Sequence, residues 1–439
     1  MELFVIPTHR ICNEAVESIL EEINYIKNQE VDFGLVVLDN SKKEIFLDNH
    51  DFLLSVRNSH RNLHIYHIGL DSMLKIVKGI SDKCLIPYDE LKEMLYPDDI
   101  NYGKIGNFVY LITVLLGAKG FHRRDSDCFV FEMEKESYPI IPEAKYLGNK
   151  VKEIENVMKQ EELDYKEDER VYIVGGDYSG NWDLDTQKVN EANPRAMEYM
   201  MRICGIPEED IHEQFEIKYN QEEDEENKLP VLSSVFEVSQ SPECGNISMY
   251  EVFRYIPNFI GQNGIGFDNH TYFITFLVKA PVIYHFNRIL HMHDENRIKD
   301  INLSSYWRGI AKMVDFDCYH LEFIEAGFGD MMCKDGVGIN AIKESYQEFL
   351  PDSFEKIFDE LQYEKRINRI ETIAEKVLRP TNIEDYVKVA DYLQEEKHNI
   401  INQLDEEYKL SIKLQRSWKD IIKALDAMTL HYNDFIQEI

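Results

Sequence analysis

The stretch best equipped for chemistry is Arg123-Arg124-Asp125-Ser126-Asp127. Two carboxylates at i and i+2, placed just after a strand, can both reach one hard cation, directly or through water. A cation held there bridges diphosphate oxygens and neutralises charge on a departing nucleotide. The spacing alone decides little, because an acidic chain supplies it by chance: Asp183-Leu184-Asp185 and Asp315-Phe316-Asp317 repeat it. A solvated turn accounts for most such triplets. Arg123 and Arg124 need partners, either local carboxylates or the charge-assisted bonds that a diphosphate or an acidic sugar accepts. Further along come His291-Met292-His293-Asp294-Glu295-Asn296-Arg297 and Gly264-Ile265-Gly266-Phe267-Asp268-Asn269-His270. His291 and His293 project to one side if extended, and neutral imidazole suits Mn²⁺; a loop with surface histidines is the plainer alternative. Asp268 stands where a helix N-cap would, ahead of Thr271-Tyr272-Phe273. Arg288, Arg297 and Arg308 could clamp phosphates or sit in salt bridges.

These residues need a scaffold, and the first third of the chain alternates strand and helix patterns. Leu3–Ile6, Gly34–Leu38 and His64–Ile68 read as buried strands. Residues 12–28 and 105–117 read as helices. Strands joined by helices imply an α/β domain with a parallel sheet. Ligands in such sheets sit beyond the carboxyl ends of the strands, where 7–10, 39–41 and 123–127 all fall. Residues 149–170 read as a charged, solvated helix, Val171–Ile173 as a new strand, and 221–227 as an exposed acidic loop. The glycine- and aromatic-rich run Val171–Trp182 could line an acceptor groove or be a strand with an ordinary turn. Residues 231–330 mix short strands with Gly-rich turns, and from about 338 the pattern is helical, broken at Pro380.

Bulk properties narrow the class. The chain has 439 residues, 44% of them hydrophobic, enough for two or three domains. With 81 acidic against 48 basic residues and a formal charge of −33, nucleic-acid binding is disfavoured. The seven cysteines are scattered without a CxxC pair, which points to reduced thiols in a cytoplasm. The start lacks the features of a signal peptide, and no run approaches the ~18 apolar residues of a membrane span. A soluble, cytoplasmic protein is expected.

Several motifs carry a family resemblance. Ile6-Pro7-Thr8-His9-Arg10 resembles the first strand and loop of GT-A glycosyltransferases. Leu38-Asp39-Asn40-Ser41 resembles their second-strand motif, in which an Asp contacts the base or ribose. Asn101-Tyr102-Gly103-Lys104-Ile105-Gly106-Asn107, followed by Gly117 and Gly120, resembles the stretch before the family's Asp-x-Asp. The four landmarks fall in order over residues 3–127; 170–310 carries the resemblance weakly and the last hundred residues do not carry it. Pro-Thr-x-Arg, Leu-Asp-x-Ser and His-Arg-Arg-Asp-Ser-Asp together also resemble an uncharacterised bacterial group of glycosyltransferase-like proteins. One departure is Gly120-Phe121-His122-Arg123-Arg124, where the family's strand is usually apolar.

The resemblance implies an α/β fold with a GT-A (Rossmann-like) mixed sheet flanked by helices and a C-terminal helical appendage. Residues 1–148 would be the nucleotide-sugar half, 149–337 the acceptor half and 338–439 the helical region, which could also pair with a second subunit. The implied activity is metal-dependent transfer of a sugar from a nucleoside-diphosphate donor, UDP-sugar by default, to a hydroxyl of a small molecule, peptide or glycan, with inversion. Donor binding would use Pro7, Thr8, Arg10, Asp39, Asn101, Gly103, Arg123, Arg124, Ser126 and Arg297. Mn²⁺ or Mg²⁺ would be held by Asp125 and Asp127, with His291 or His293, and His285 as a further candidate, completing the shell. Asp268 would be the general base. Two other classes stay open: a nucleotidyltransferase, although Pro7–Cys12 lacks the glycines of that signature, and a non-catalytic nucleotide-sugar-binding protein.

Overall fold

The computed structural model describes all residues except 1, 27–32, 98–99, 132, 160–166, 181–185, 213–227, 235–241, 293–301, 334–337 and 346–348. Its centre is a ten-stranded mixed sheet. The strands are β1 (Glu2–Thr8), β2 (Phe33–Asp39), β3 (His64–Gly69), β4 (Gly120–Arg123), β5 (Cys128–Phe129), β6 (Met158–Lys159), β7 (Ile173–Gly180), β8 (Val231–Ser233), β9 (Ile247–Tyr250) and β10 (Val282–His291), in the spatial order β3-β2-β1-β4-β9-β7-β10-β8-β6, with β5 on β10. β1 to β4 run parallel, β9 runs against its neighbours β4 and β7, and β10 is parallel to β7. β1 and β2 are apolar runs because both faces are covered. Leu3 and Val5 enter one buried cluster, whereas Phe4 and Ile6 enter the other with Ala15, Ile19 and Ile23 of the helix Asn13–Ile26.

The C-terminal helices complete one side of the core. The helix Glu384–Asp426 spans 43 residues, about 65 Å at helical rise. Charged residues cover its outer face, while Leu404, Tyr408, Trp418 and Leu425 are buried without residual exposure. Its packing reaches the sheet domain directly: Trp418 Nε1 donates to Phe253 O at 3.0 Å. No helix among the described residues is long and apolar enough to cross a membrane.

Two stretches differ from the pattern reading. The described part of 149–170 forms a 3₁₀ turn, Val151–Glu153, and the short strand β6, not a helix. Its charges are compensated locally, as between Lys152 and Asp168, while Val151 and Ile154 are buried. The helical region also begins earlier than 338, with the helix Leu303–Glu325. Asn302 caps it, accepting from Ser304 N and Ser305 N. Gly309 depresses helix propensity there but permits contact, since a Cβ would lie 2.4 Å from Asn263 O.

Candidate active site

The chain builds β1, then β2 and β3 on one side of it, and returns to place β4 on the other. Strand order therefore reverses between β1 and β4, which opens a crevice at their carboxyl ends, the usual ligand position in an open α/β sheet. The loops after both strands are fixed there. Thr8 Oγ1 accepts from Arg10 N at 3.1 Å and donates to Arg10 O at 2.9 Å. Arg124 N donates to Val5 O at 3.1 Å, and Cys128 N closes the Asp125–Cys128 turn on Asp125 O at 3.0 Å. Met292 N donates to Asp127 O at 2.9 Å, and His291 lies opposite Cys128 in register. The end of β10 thus lies against the carboxylate turn.

A cavity of about 70 Å³ forms here, with Pro7, Thr8, Arg10, Asn40, Asn101, Tyr102, Arg123, Asp125, Ser126 and Asp127 in its walls. Asp127 Oδ2 lies 3.6 Å from Arg10 Nη1 and 3.7 Å from His291 Nε2. The His291 ring stacks on Tyr178 with centroids 4.7 Å apart. Arg123 Nε donates to Asp125 Oδ1 at 2.9 Å, and its Nη1 donates to Asp268 Oδ2 at 2.6 Å. Burial raises the Asp125 carboxyl above its ordinary value; Asp127 and Asp268 add to this and Arg123 opposes it. Burial alone would lower the Arg123 guanidinium, but Asp125 and Asp268 hold it well above its usual range.

The donor atoms fit a divalent cation. One ligand atom each from Asp127, Cys128 and His291 lie within 4.8 Å of one another. Burial, with Asp127 and Asp125 nearby, pushes the Cys128 thiol well up. Of these three, the Asp127 carboxylate and the His291 imidazole are the donors best suited to Mn²⁺.

Other expected residues lie elsewhere or do other work. Arg124 points under the sheet, where Glu22 and Glu143 both grip it at 2.8–3.0 Å. It is buried and takes no part in the cavity wall. His285 is buried in the same region, its Nε2 3.9 Å from Glu143 Oε1. Asp39 is buried, with Ser41 N at 2.9 Å, Asn49 Nδ2 at 2.8 Å and His67 Nε2 at 3.0 Å. Burial would raise this carboxyl, but those hydrogen bonds hold it below its ordinary value. Asn49 Nδ2 also donates to Arg10 O, and its Oδ1 accepts from Cys12 N. Asp39 therefore shapes the loop after β1, and Asn40 is the neighbour that lines the cavity.

Asn101 lines the cavity as the N-cap of the helix Tyr102–Leu115, accepting from Lys104 N at 3.0 Å. Gly103 and Gly106 let the segment around 258–268 dock on that helix. A Cβ on Gly103 would fall 1.6 Å from Phe259 O, and one on Gly106 would fall 2.8 Å from Asn258 Nδ2 and 3.3 Å from Asp268 Cβ. Asn107 clamps the docked backbone, with Asn258 N and O at 2.7 and 3.1 Å. Asp268 is buried there, tied to the cavity through Arg123. Arg308 turns to Tyr392 and Gln403 of the C-terminal helix. Asp315 is buried against Arg366. His293, Arg297 and Asp183–Asp185 lie outside the described residues. Asn40 and Tyr178 lie within stretches that the sequence marks, but nothing in those stretches sets them apart from their neighbours.

The family described as "Family of unknown function (DUF6271)" matches residues 3–434. No curated protein matches the chain. Among solved structures, one that matches is the mannosyltransferase PcManGT from Pyrobaculum calidifontis in complex with GDP-Man and Mn²⁺, at 11% identity and a TM-score of 0.36, covering 98% of this chain and 86% of that one.

Proposed function

The chain belongs to the DUF6271 family, and we propose that it is a metal-dependent glycosyltransferase, drawing a sugar from a nucleoside diphosphate, UDP by default, onto an acceptor hydroxyl with inversion. The observation that carries the reading is the Asp125-Ser126-Asp127 turn at the β1/β4 crevice, with His291 Nε2 3.7 Å from Asp127 Oδ2. The resemblance of residues 3–127 to GT-A enzymes supports it. Residues 1–148 would bind the donor and 149–337 the acceptor.

Asp125, Asp127 and His291 would hold the divalent cation, which when bound neutralises charge on the diphosphate. Arg10 and Ser126 would contact phosphate oxygens, with Pro7 and Thr8 forming the floor. Arg123 holds Asp125 and Asp268 in one chain of charge-assisted bonds, so loading the turn and aligning the base are mechanically connected. Asp268 would take the acceptor proton on Oδ1, because Oδ2 already accepts from Arg123. A positioned base of this kind contributes about 10²–10⁴-fold to turnover.

The test is a thermal-shift panel of UDP- and GDP-sugars with and without Mn²⁺, followed by product analysis. Stabilisation that requires both sugar nucleotide and metal, with release of a nucleoside diphosphate, is the expected result. Transfer of the nucleoside monophosphate with release of a sugar phosphate would instead indicate nucleotidyl transfer, and binding without turnover a non-catalytic protein.

A further inference from the structure

Cys128 and His291 stand directly opposite each other where β5 pairs with β10. Residues opposed in an antiparallel pair carry their side chains on one face, with Cβ atoms about 4.5–5.5 Å apart. A thiol therefore sits beside the imidazole that faces the carboxylate turn. Asp127, one residue before Cys128, reaches the same place, with its Oδ2 3.7 Å from His291 Nε2. One donor atom from each of Asp127, Cys128 and His291 lies within 4.8 Å of the other two. Donors about 2.0–2.3 Å from one tetrahedral ion stand roughly 3.3–3.6 Å apart, so side-chain rotation of about 1 Å brings the sulfur into the set. The surroundings hold these groups in place. The His291 ring stacks on Tyr178, the Tyr178 hydroxyl accepts from Gly245 N at 2.7 Å, and Met292 N donates to Asp127 O.

Carboxylate, thiolate and imidazole are the ligand types that Zn²⁺ takes, with water in a remaining position. Mn²⁺ gains little from sulfur, whereas Zn²⁺ bonds it strongly. Burial opposes the bare thiolate, but a coordinating cation removes a thiol proton outright. We infer that the turn has two metal settings: Asp125, Asp127 and His291 serve Mn²⁺ and the diphosphate, whereas Asp127, Cys128 and His291 capture Zn²⁺ and shut the site down. The two exclude each other because Asp127 and His291 belong to both. As the S–Zn bond forms, the thiol proton passes to water and no electron changes hands. The inhibitory role rests on the metal-dependent reading above.

The test uses the full chain without nucleotide, with Co²⁺ as a spectroscopic stand-in for Zn²⁺. Wild type should develop the near-ultraviolet charge-transfer band of a thiolate bound to Co²⁺, and added Zn²⁺ should erase it. Cys128→Ser and Cys128→Ala, each checked for its thermal transition, should lack the band, which separates Cys128 from the other cysteines. In a second arm, Zn²⁺ is added to protein holding Mn²⁺ and UDP, and Mn²⁺ release is read by electron paramagnetic resonance. The cysteine variants should need at least about 10-fold more Zn²⁺ for half-release, since even a lost outer-shell partner weakens a metal site by that much. No band in wild type, a band unchanged in a folded variant, or an equal Zn²⁺ requirement would each overturn the inference. If wild type fails to hold Mn²⁺ with UDP when Zn²⁺ is absent, the glycosyl-transfer reading falls and the inhibitory role with it, while the cobalt band still decides whether the Zn²⁺ site exists.

Discussion

The loop Gln262–Ile265, which contributes Asn263 and Ile265 to a cavity of about 780 Å³ beside Ser126 and Asp127, is held by a buried ion pair contributed from two helices. Lys312 Nζ donates to Gln262 O at 2.8 Å and to both Glu407 carboxylate oxygens at 2.8 and 3.0 Å. Glu407 Oε1 also accepts from Gln262 N at 2.9 Å. The Lys312 side chain is fully enclosed. Glu407→Gln keeps the shape but leaves that ammonium buried without its counter-charge. Removing one member of a buried pair costs about 3–5 kcal/mol; the remaining amide and Gln262 O favour the lower end, about 3 kcal/mol. The urea dependence rises with chain size, to about 3 kcal/mol per M or more here, so the unfolding midpoint should fall by about 1 M or less. Lys312→Met should cost a similar amount, and the double variant should cost less than the sum of the two, because neither charge is then stranded. Urea unfolding of the four proteins checks this. A Glu407→Gln loss below about 0.5 kcal/mol, or strict additivity in the double variant, would refute the argument that this pair braces the cavity wall.

Three further outcomes follow from particular contacts. Asp268→Asn should fold, bind donor nearly normally and lose about 10²–10⁴-fold in turnover with donor and acceptor saturating; near wild-type turnover would remove it from the base role. Burial would lower the His122 imidazole, but Glu143 and Glu2 raise it to about 9. Its stabilisation is thus complete below the unfolded value near 6.5 and is lost as pH rises through 9, a decline of at most roughly 3 kcal/mol, which chemical unfolding between pH 6.5 and 9 should register and His122→Asn should flatten. A chain ending at 338 should lose its cooperative thermal transition, because Trp418, Tyr408 and Leu404 bury against the rest of the protein; an unchanged melting curve would contradict that.

Much of the scaffold was legible because its signals are local. β1, β2 and β3 are short apolar runs that end at turn residues, and burial on both faces is what produces such runs. The proximity of Asp127 and His291 was anticipated only by resemblance, since 164 positions of sequence carry no local trace of β5 pairing with β10. Roles set by distant partners were not legible. Arg124 is claimed by Glu22, 102 residues away, and Glu143, and Asp39 by Asn49 and His67; a motif gives a residue's type but not what surrounds it. Gly103 is expected among the donor-binding residues and Gly106 only within the same stretch, and neither motif shows that both also permit close packing, against Phe259 and Asn258. The helix Leu303–Glu325 was missed because aromatic residues and Gly309 blurred its periodicity, and tertiary contacts overrode that weak propensity.

The central claim is that Asp125 and Asp127 hold a divalent cation on which a nucleoside diphosphate binds. The direct measurement is Mn²⁺ electron paramagnetic resonance, following loss of the free-ion signal as the full chain is added with and without UDP, in wild type and in Asp125→Asn/Asp127→Asn. The account predicts that wild type depletes free Mn²⁺ and does so more strongly with UDP. The double variant, still folded by its thermal transition, should leave the free-ion signal as UDP alone leaves it. Equal depletion of free Mn²⁺ by wild type and the folded double variant would contradict the account.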